Sequence, residues 1–274
     1  MEKVLLLQKY KIKERIYNKK DLITSIVFKI LNILICTISL TLFVIVNKEY
    51  IDGGLFFTYL EFDVNILIIL ISIIFLVLDL IFLLTKKDFN KRWLYLGKFI
   101  ILGGSFNAFL YFVPTFITMV LNINDPLTII SYIFNGFLTC LIFTLDFVIN
   151  DYSFTTRRAH IYLLLIIPLI YIVIFAILSI GFDVHWPLFI SKGGLKESCA
   201  PYPFLNYEIN TWFDNKFTFS EFDDGHYGFS TFYLLFWTIP FNLIYGFIIL
   251  KIKNKRLIKK YDLDIPNTSY YQEI

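Results

Sequence analysis

Six long apolar runs, separated by polar or charged stretches, constrain the fold of this chain more than any other feature. Each run exceeds the roughly 18 residues that separate a membrane-spanning helix from a buried helix of a soluble core. Only 17% of the residues are charged, whereas a soluble domain holds about 25%. We therefore expect a polytopic membrane protein. The predicted spans are Ile23–Val46, Val64–Leu84, Lys98–Leu121, Thr128–Ile149, Ile161–Ile180 and Thr231–Leu250, the second of which could begin as early as Phe57.

This pattern predicts a single-domain, all-α bundle of six transmembrane helices. We expect a basic cytoplasmic tail over residues 1–21, the transmembrane domain over 22–250 and a second basic cytoplasmic tail over 251–274. A long external loop, residues 181–230, joins the fifth and sixth spans and is rich in Trp, Tyr, Phe and Pro. Two interpretations of this loop stay open: a lid over a binding site, or part of the aromatic belt at the membrane surface.

The cationic residues lie mainly on one side of the predicted spans. Nineteen Lys and Arg residues fall in the two tails and in the second and fourth loops, against four in the remaining loops. By the positive-inside rule, both termini are predicted to be cytoplasmic, with the protein in the cell membrane. The net charge of +3 is then explained by topology and by contact with anionic membrane lipids, not by nucleic acid.

The sequence gives no indication of a cofactor or a metal. Cys36 and Cys140 lie within predicted spans and only Cys199 lies outside them, so no intramolecular disulfide is expected. Neither metal-ligand spacing, nor a glycine-rich phosphate loop, nor a hydrolase elbow occurs in the sequence.

Polar residues are unusually frequent where the second apolar run begins, in the stretch LFFTYLEFDVNIL at 55–67. Thr58, Glu61 and Asn65 have the spacing i, i+3 and i+7, which places them on one helix face, while Asp63 points elsewhere. Polar groups in a membrane must find partners or a function. The stripe is thus either an interhelical packing cluster or the wall of a water-filled or ligand-holding vestibule.

Two asparagines in other spans are candidate partners for this stripe. Asn107 lies in the third span and Asn135 in the fourth, and Asn107 is nearer to the middle of the membrane. We therefore expect the stripe to contact Asn135 more readily than Asn107. The external segment around Tyr202 belongs to the same outer layer and completes the predicted polar cluster.

Three charged residues are predicted to lie inside the bilayer near its cytoplasmic side. Asp79 and Asp146 end the second and fourth spans, and Lys98 begins the third at the same depth. Pairing of Lys98 with either aspartate removes most of the cost of burying these charges. We expect both aspartates to lie near Lys98 in a structural role; a proton relay is the alternative.

Four segments resemble the androgen-induced, FAR-17a-like family of membrane proteins and its bacterial relatives. FFTYLEFDVNIL resembles the Phe-Thr motif of that family, and CAPYPFLNYE resembles its Tyr-Pro-Phe-Leu motif. SYIFNGFLTCLIFTLDFVIND and IYLLLIIPLIYIVIFAI resemble its fourth and fifth spans. The similarity extends over about residues 25–250.

The resemblance implies an intramembrane hydrolase of lipid esters that uses a Thr nucleophile and a His. Thr58 matches the Thr, but the segment 135–138, close to which the family carries its His, reads Asn-Gly-Phe-Leu. A hydroxyl needs a base to become a useful nucleophile. Glu61 and the external residues His185 and His226 are the candidates to replace the His.

Two functions follow from this departure. The absent His favours a non-catalytic member of the family, with a transport or scaffold-like role, whose partners are membrane lipids or a lipid-like ligand. The alternative is an active or degenerate lipid-ester hydrolase with Thr58 as nucleophile and Glu61 as a further catalytic candidate.

Overall fold

The computed structural model describes residues 19–47, 57, 59–86, 89, 91–122, 126–150, 158–182, 184, 186–189, 195–198 and 238–261. The predictions for Thr58, His185, Cys199, Tyr202 and His226 lie outside the described residues, as do those for residues 1–18 and 262–274. The candidate nucleophile and the external motif thus keep the status of predictions.

Long helices make up most of the described chain. The first three are α1 (Lys19–Asn47), α2 (Leu60–Thr85) and α3 (Arg92–Asn122). Helix α4 (Pro126–Asn150) contains a π-helical segment, Ile133–Leu138. Helix α5 consists of a 3₁₀ turn (Arg158–Leu165), an α-helix (Ile166–Ala176) and a π-helical end (Ile177–Gly181), and α6 runs from Ile239 to Tyr261.

Four of these helices are long and apolar enough to cross a membrane. They contain the segments Lys20–Val46, Leu60–Thr85, Trp93–Val113 and Pro126–Asn150. Helix α5 contributes a shorter apolar segment, His160–Ile174. Many large apolar side chains point outward, such as Leu70, Val173 and Phe247, each more than half exposed. Outward-facing apolar side chains beside a partly polar interior are expected of a protein surrounded by lipid.

Helix α2 begins at Leu60, within the predicted range of starts from Phe57 to Val64. Helix α3 begins at Arg92, several residues before the predicted span. Helix α6 continues to Tyr261, well past the predicted end at Leu250. The sequence LKIKNKRLIKK is polar but rich in good helix formers, so the helix continues after its apolar run has ended.

Small residues let α3 and α6 approach α5 very closely. A methyl group added at Gly103 would lie 2.0 Å from the carbonyl oxygen of Leu164, and one added at Gly246 would lie 2.5 Å from Cδ1 of Leu164. Gly104 is similarly tight against Ile167. These glycines allow close packing of the helices.

The described chain is almost entirely helical, which agrees with the predicted all-α class. One short hairpin accompanies the helices: strands β1 (Trp186–Phe189) and β2 (Leu195–Ser198) pair antiparallel, with Trp186 opposite Ser198. Both strands lie within the long connection between α5 and α6. The aromatic and apolar residues of β1 suit a strand, whereas β2 reads LKES and carries no such pattern.

Candidate functional site

Two groups of buried polar side chains occupy the bundle interior, one toward each end. The inner end is defined here as the end where α1 begins and α2 finishes, and the outer end is the opposite one. The inner group is called the charged cluster, and the outer group the polar layer. The charged cluster consists of Lys29, Asn32, Lys98, Asp146 and Asn150.

A single carboxylate organises the charged cluster. Lys29 donates to both oxygens of Asp146 at 2.6 and 2.7 Å, and Lys98 donates to Oδ2 at 2.7 Å. The amide groups of Asn32 and Asn150 add hydrogen bonds of 3.0 and 2.8 Å. Asp146 is 0% exposed and both lysines are 1% exposed. Helices α1, α3 and α4 are therefore joined by one buried ionic centre.

Aromatic rings surround the cations of this cluster. The ammonium groups of Lys29 and Lys98 lie 5.3 and 5.5 Å from the centre of the Phe75 ring, which belongs to α2. Lys98 also lies 5.6 Å from the Phe143 ring. Such cation–π contacts are attractive and are strongest where water is excluded. Through Phe75, helix α2 contacts the ionic centre although it contributes no charged side chain to it.

Asp79 has a different cation partner from the predicted one. Lys91, just before α3, reaches Asp79 Oδ1 at 2.6 Å, and the hydroxyl of Ser25 donates to Oδ2 at 2.7 Å. The prediction that Lys98 pairs with either aspartate is confirmed for Asp146, whereas the cation that pairs with Asp79 is Lys91. Depth along a helix is readable from the sequence, but the direction in which a side chain faces its neighbours is not.

The polar layer is built around Asn135 and consists of Ser39, Asn65, Ser131 and Asn135. Asn65 Nδ2 donates to Asn135 Oδ1 at 3.2 Å and to the Ser39 hydroxyl oxygen at 2.9 Å. The Ser39 hydroxyl in turn donates to Asn135 Oδ1. The structure therefore joins α1, α2 and α4 at this level and brings Asn65 to Asn135.

The side-chain amide of Asn135 is fully used by these contacts. Its oxygen accepts from Ser39 and Asn65, while its nitrogen donates to the carbonyl oxygen of Ser131 at 2.9 Å and to the Ser131 hydroxyl at 3.3 Å. Asn135 lies in the π-helical segment of α4. Such segments are rare and often occur at functional sites, but here the amide is bound on both sides.

Asn107 is not part of the polar layer, contrary to its predicted place in one cluster. Its amide nitrogen donates to the carbonyl oxygen of Gly103, one turn back in α3, at 2.9 Å. Asn242 of α6 donates in the same way to Thr238, at 2.7 Å. Among the described residues, the amide oxygens of both side chains lack a hydrogen-bond partner. These two amides serve their own helices.

A narrow cavity opens next to the polar layer. It is lined by Glu61 of α2, three residues of α3 and three of α4, and contains about 240 Å³ of empty space with its open mouth included. Its enclosed part has room for the centre of about one water molecule. Glycine at 136 keeps this packing feasible, because an added methyl group would lie 2.2 Å from the Phe112 ring. The lining residues are Glu61, Ala108, Tyr111, Phe112, Tyr132, Asn135 and Gly136.

Glu61 is the acidic group of this cavity. It sits in the first turn of α2. Asp63 is not among the lining residues. Within the described ranges, no group of three or more His, Cys, Asp or Glu side chains is arranged to hold a metal ion.

Sequence reasoning missed five members of these groups: Lys29, Asn32, Ser39, Ser131 and Asn150. Lys29, Asn32 and Ser39 belong to a buried stripe on α1 that also contains Cys36. Their spacing of three and four residues places all four on one helix face. This polar stripe within the first apolar run was the available signal, and it indicates the face of α1 that packs against α2 and α4.

The fold and the two polar groups define a helical protein of the membrane-spanning class. Comparison with known proteins adds no closer assignment: no family model, no curated protein and no solved structure matches this chain.

Proposed function

We propose that this chain is a six-span, non-catalytic protein of the cell membrane, with a transport or scaffold-like role and both termini in the cytoplasm. In this proposal α5 and α6 supply the fifth and sixth spans, and the long connection between them is external. The chain would be a member of the androgen-induced family that keeps the bundle without the ester-hydrolase chemistry.

The state of Asn135 is the observation that carries the proposal. The resemblance puts a catalytic His close to this segment, and a base there must accept a proton from the nucleophile. An asparagine amide is not a base at physiological pH, and this one already makes hydrogen bonds through both its oxygen and its nitrogen. The side chain of Asn135 in this segment therefore serves packing between α1, α2 and α4.

The size of the neighbouring cavity supports the same proposal. Ester hydrolysis needs room for the carbonyl group, the attacking hydroxyl and the leaving alcohol within a site that holds them together. The enclosed space next to Glu61 accepts about one water-sized group. A lipid ester does not fit into this space without a rearrangement of the helices that line it.

The distribution of buried cations supports the orientation. Lys29, Lys91 and Lys98 all lie toward the inner end of the bundle, where they pair with Asp79 and Asp146. The basic connection between α2 and α3 lies at that same end. An inner end facing the cytoplasm agrees with the positive-inside rule.

Labelling with a fluorophosphonate probe for serine and threonine hydrolases tests the proposal. The purified native protein should show no more labelling than the Thr58→Val variant. Thr37→Val is the matched control, because Thr37 is exposed and its hydroxyl donates only to the carbonyl oxygen of Ile33 in its own helix. Specific labelling of the native protein and of Thr37→Val that disappears in Thr58→Val would establish the hydrolase instead.

That alternative rests on one observation. Glu61 lines the cavity and lies three positions after Thr58 in the sequence, so a carboxylate is present where a substitute base is needed. If labelling occurs, Glu61→Gln should abolish it together with Thr58→Val. If Glu61→Gln retains full labelling, the base must be sought among the external histidines.

A further inference from the structure

The cavity at the outer end combines one carboxylate with several aromatic rings. Glu61 is the ionisable acid among its lining residues, and Tyr111, Phe112 and Tyr132 supply the rings. Among the residues that the structure describes, the lining contains no Lys, Arg or His. A carboxylate beside the faces and hydroxyl groups of aromatic side chains is the arrangement that recognises ammonium groups.

The remaining polar group of the lining is already engaged. Asn135 uses its amide oxygen to accept from Ser39 and Asn65 and its nitrogen to donate to Ser131. It therefore forms a fixed wall of the cavity, and Glu61 and the tyrosines supply the other polar atoms of the lining. Tyr111 is held by α3 with its hydroxyl 3.5 Å from that of Thr238 at the start of α6, so the ring is anchored on both sides.

We infer that this cavity binds the primary ammonium group of a small amine or of an aminolipid headgroup. An ammonium group is about the size of the single water that the enclosed part accepts, whereas a trimethylammonium group is several times larger. A primary amine also brings three N–H donors for the carboxylate and the phenol oxygens. This inference deepens the proposed non-catalytic function and rests on it, because it assigns the same site to binding.

The chain offers a matched pair of carboxylates for the experiment. Glu61 lines the cavity, and Asp63, two positions later in the same helix turn, does not. Glu61→Gln keeps the size of the side chain and removes its charge, and Asp63→Asn makes the same change outside the cavity. Ala108→Leu is a third variant, which fills the cavity and leaves Glu61 in place.

The full chain is reconstituted in phosphatidylcholine nanodiscs, and its thermal unfolding is followed while ethanolamine or choline is titrated, or while phosphatidylethanolamine replaces part of the lipid. The native protein and Asp63→Asn should be stabilised by a primary amine, and choline should have no effect. The apparent dissociation constant should rise at least tenfold in Glu61→Gln and in Ala108→Leu. Stabilisation by phosphatidylethanolamine alone identifies a lipid headgroup, and stabilisation by free ethanolamine as well identifies a soluble amine.

Three results would overturn the inference: no stabilisation by either amine source, equal stabilisation by choline, or unchanged binding in Glu61→Gln. The labelling experiment is scored separately. If Thr58 is labelled and the ammonium effect is present, the non-catalytic function fails while the ammonium site stands. If neither labelling nor an ammonium effect is found, the ammonium site fails while the non-catalytic function stands.

Discussion

The two ends of the bundle link their helices through different kinds of buried polar side chains. At the inner end, Asp146 and two lysines form a dry ionic centre with an amide on either side. At the outer end, neutral amides and hydroxyls around Asn135 make the links between helices. Only the outer group borders the cavity described at Glu61.

This difference indicates a division of roles. Buried ion pairs are costly to form and much more costly to break, so they hold one arrangement of helices firmly. Hydrogen bonds between neutral side chains in a membrane each contribute only about 0.6–2 kcal/mol. The charged cluster therefore maintains the bundle, and the polar layer can border a site for a guest.

The largest expected effect is that of Asp146→Asn. This change leaves Lys29 and Lys98 buried without their shared carboxylate, which should lower the free energy of unfolding by about 3–5 kcal/mol. Thermal unfolding of the purified protein in detergent measures it. A midpoint within a degree of the native value would show that the charged cluster does not hold the bundle.

A smaller loss is expected for Lys98→Met. Asp146 keeps Lys29, Asn32 and Asn150 as partners, so the cost should be about 1–3 kcal/mol, typical of one charge-assisted hydrogen bond. The double variant Lys29→Met/Lys98→Met, which removes both cations, should lose more than the two single variants combined. Simple additivity in the unfolding midpoints would mean that the two lysines act independently.

Asn135→Leu tests the outer end. The change removes the acceptor of Ser39 and Asn65 and should cost about 1–2 kcal/mol by the same measurement. Asn107→Leu is the control, because it removes a buried amide whose oxygen lacks a partner among the described residues, and it should be close to neutral. An equal loss of unfolding free energy in the two variants would contradict the central place of Asn135 in the polar layer. It would mean that Asn107 stabilises the bundle as much as Asn135 does.

The smallest effect is expected for Asp79→Asn. The pair with Lys91 is less deeply buried than the charged cluster, with side chains 14% and 7% exposed, so its loss should cost less than the loss of the Asp146 carboxylate. The loss should shrink further at high salt. A loss as large as that of Asp146→Asn, unaffected by salt, would place Asp79 with the charged cluster in energetic terms.

The sequence predicts the helices better than the polar contacts. Runs of apolar residues predict where α1 to α4 lie, because hydropathy over about 20 residues is a strong signal. Helix α6 continues past the predicted end of its span at Leu250, since a basic segment can continue a helix beyond the apolar run. The hairpin between α5 and α6 was not predicted, because its second strand, LKES, lacks the aromatic and β-branched residues typical of strands.

Partners of buried side chains follow a similar rule. The depths of Lys98 and Asp146 could be estimated from the sequence, and the two are joined in the structure. The pairing of Asp79 with Lys91 depends on how each helix is rotated about its axis. Hydropathy does not specify that rotation. Lys29 was overlooked because it stands alone in an apolar run, although the stripe with Asn32 and Cys36 indicates its face.

The most direct measurement compares the thermal unfolding of Asp146→Asn and Glu61→Gln under the same conditions, with and without ethanolamine. Both changes replace a carboxylate by its amide, one in the charged cluster and one in the cavity lining. We expect a large loss of stability for Asp146→Asn, and for Glu61→Gln a midpoint near that of the native protein without stabilisation by ethanolamine. A native-like midpoint for Asp146→Asn together with unfolding of Glu61→Gln would contradict the division of roles between the two ends.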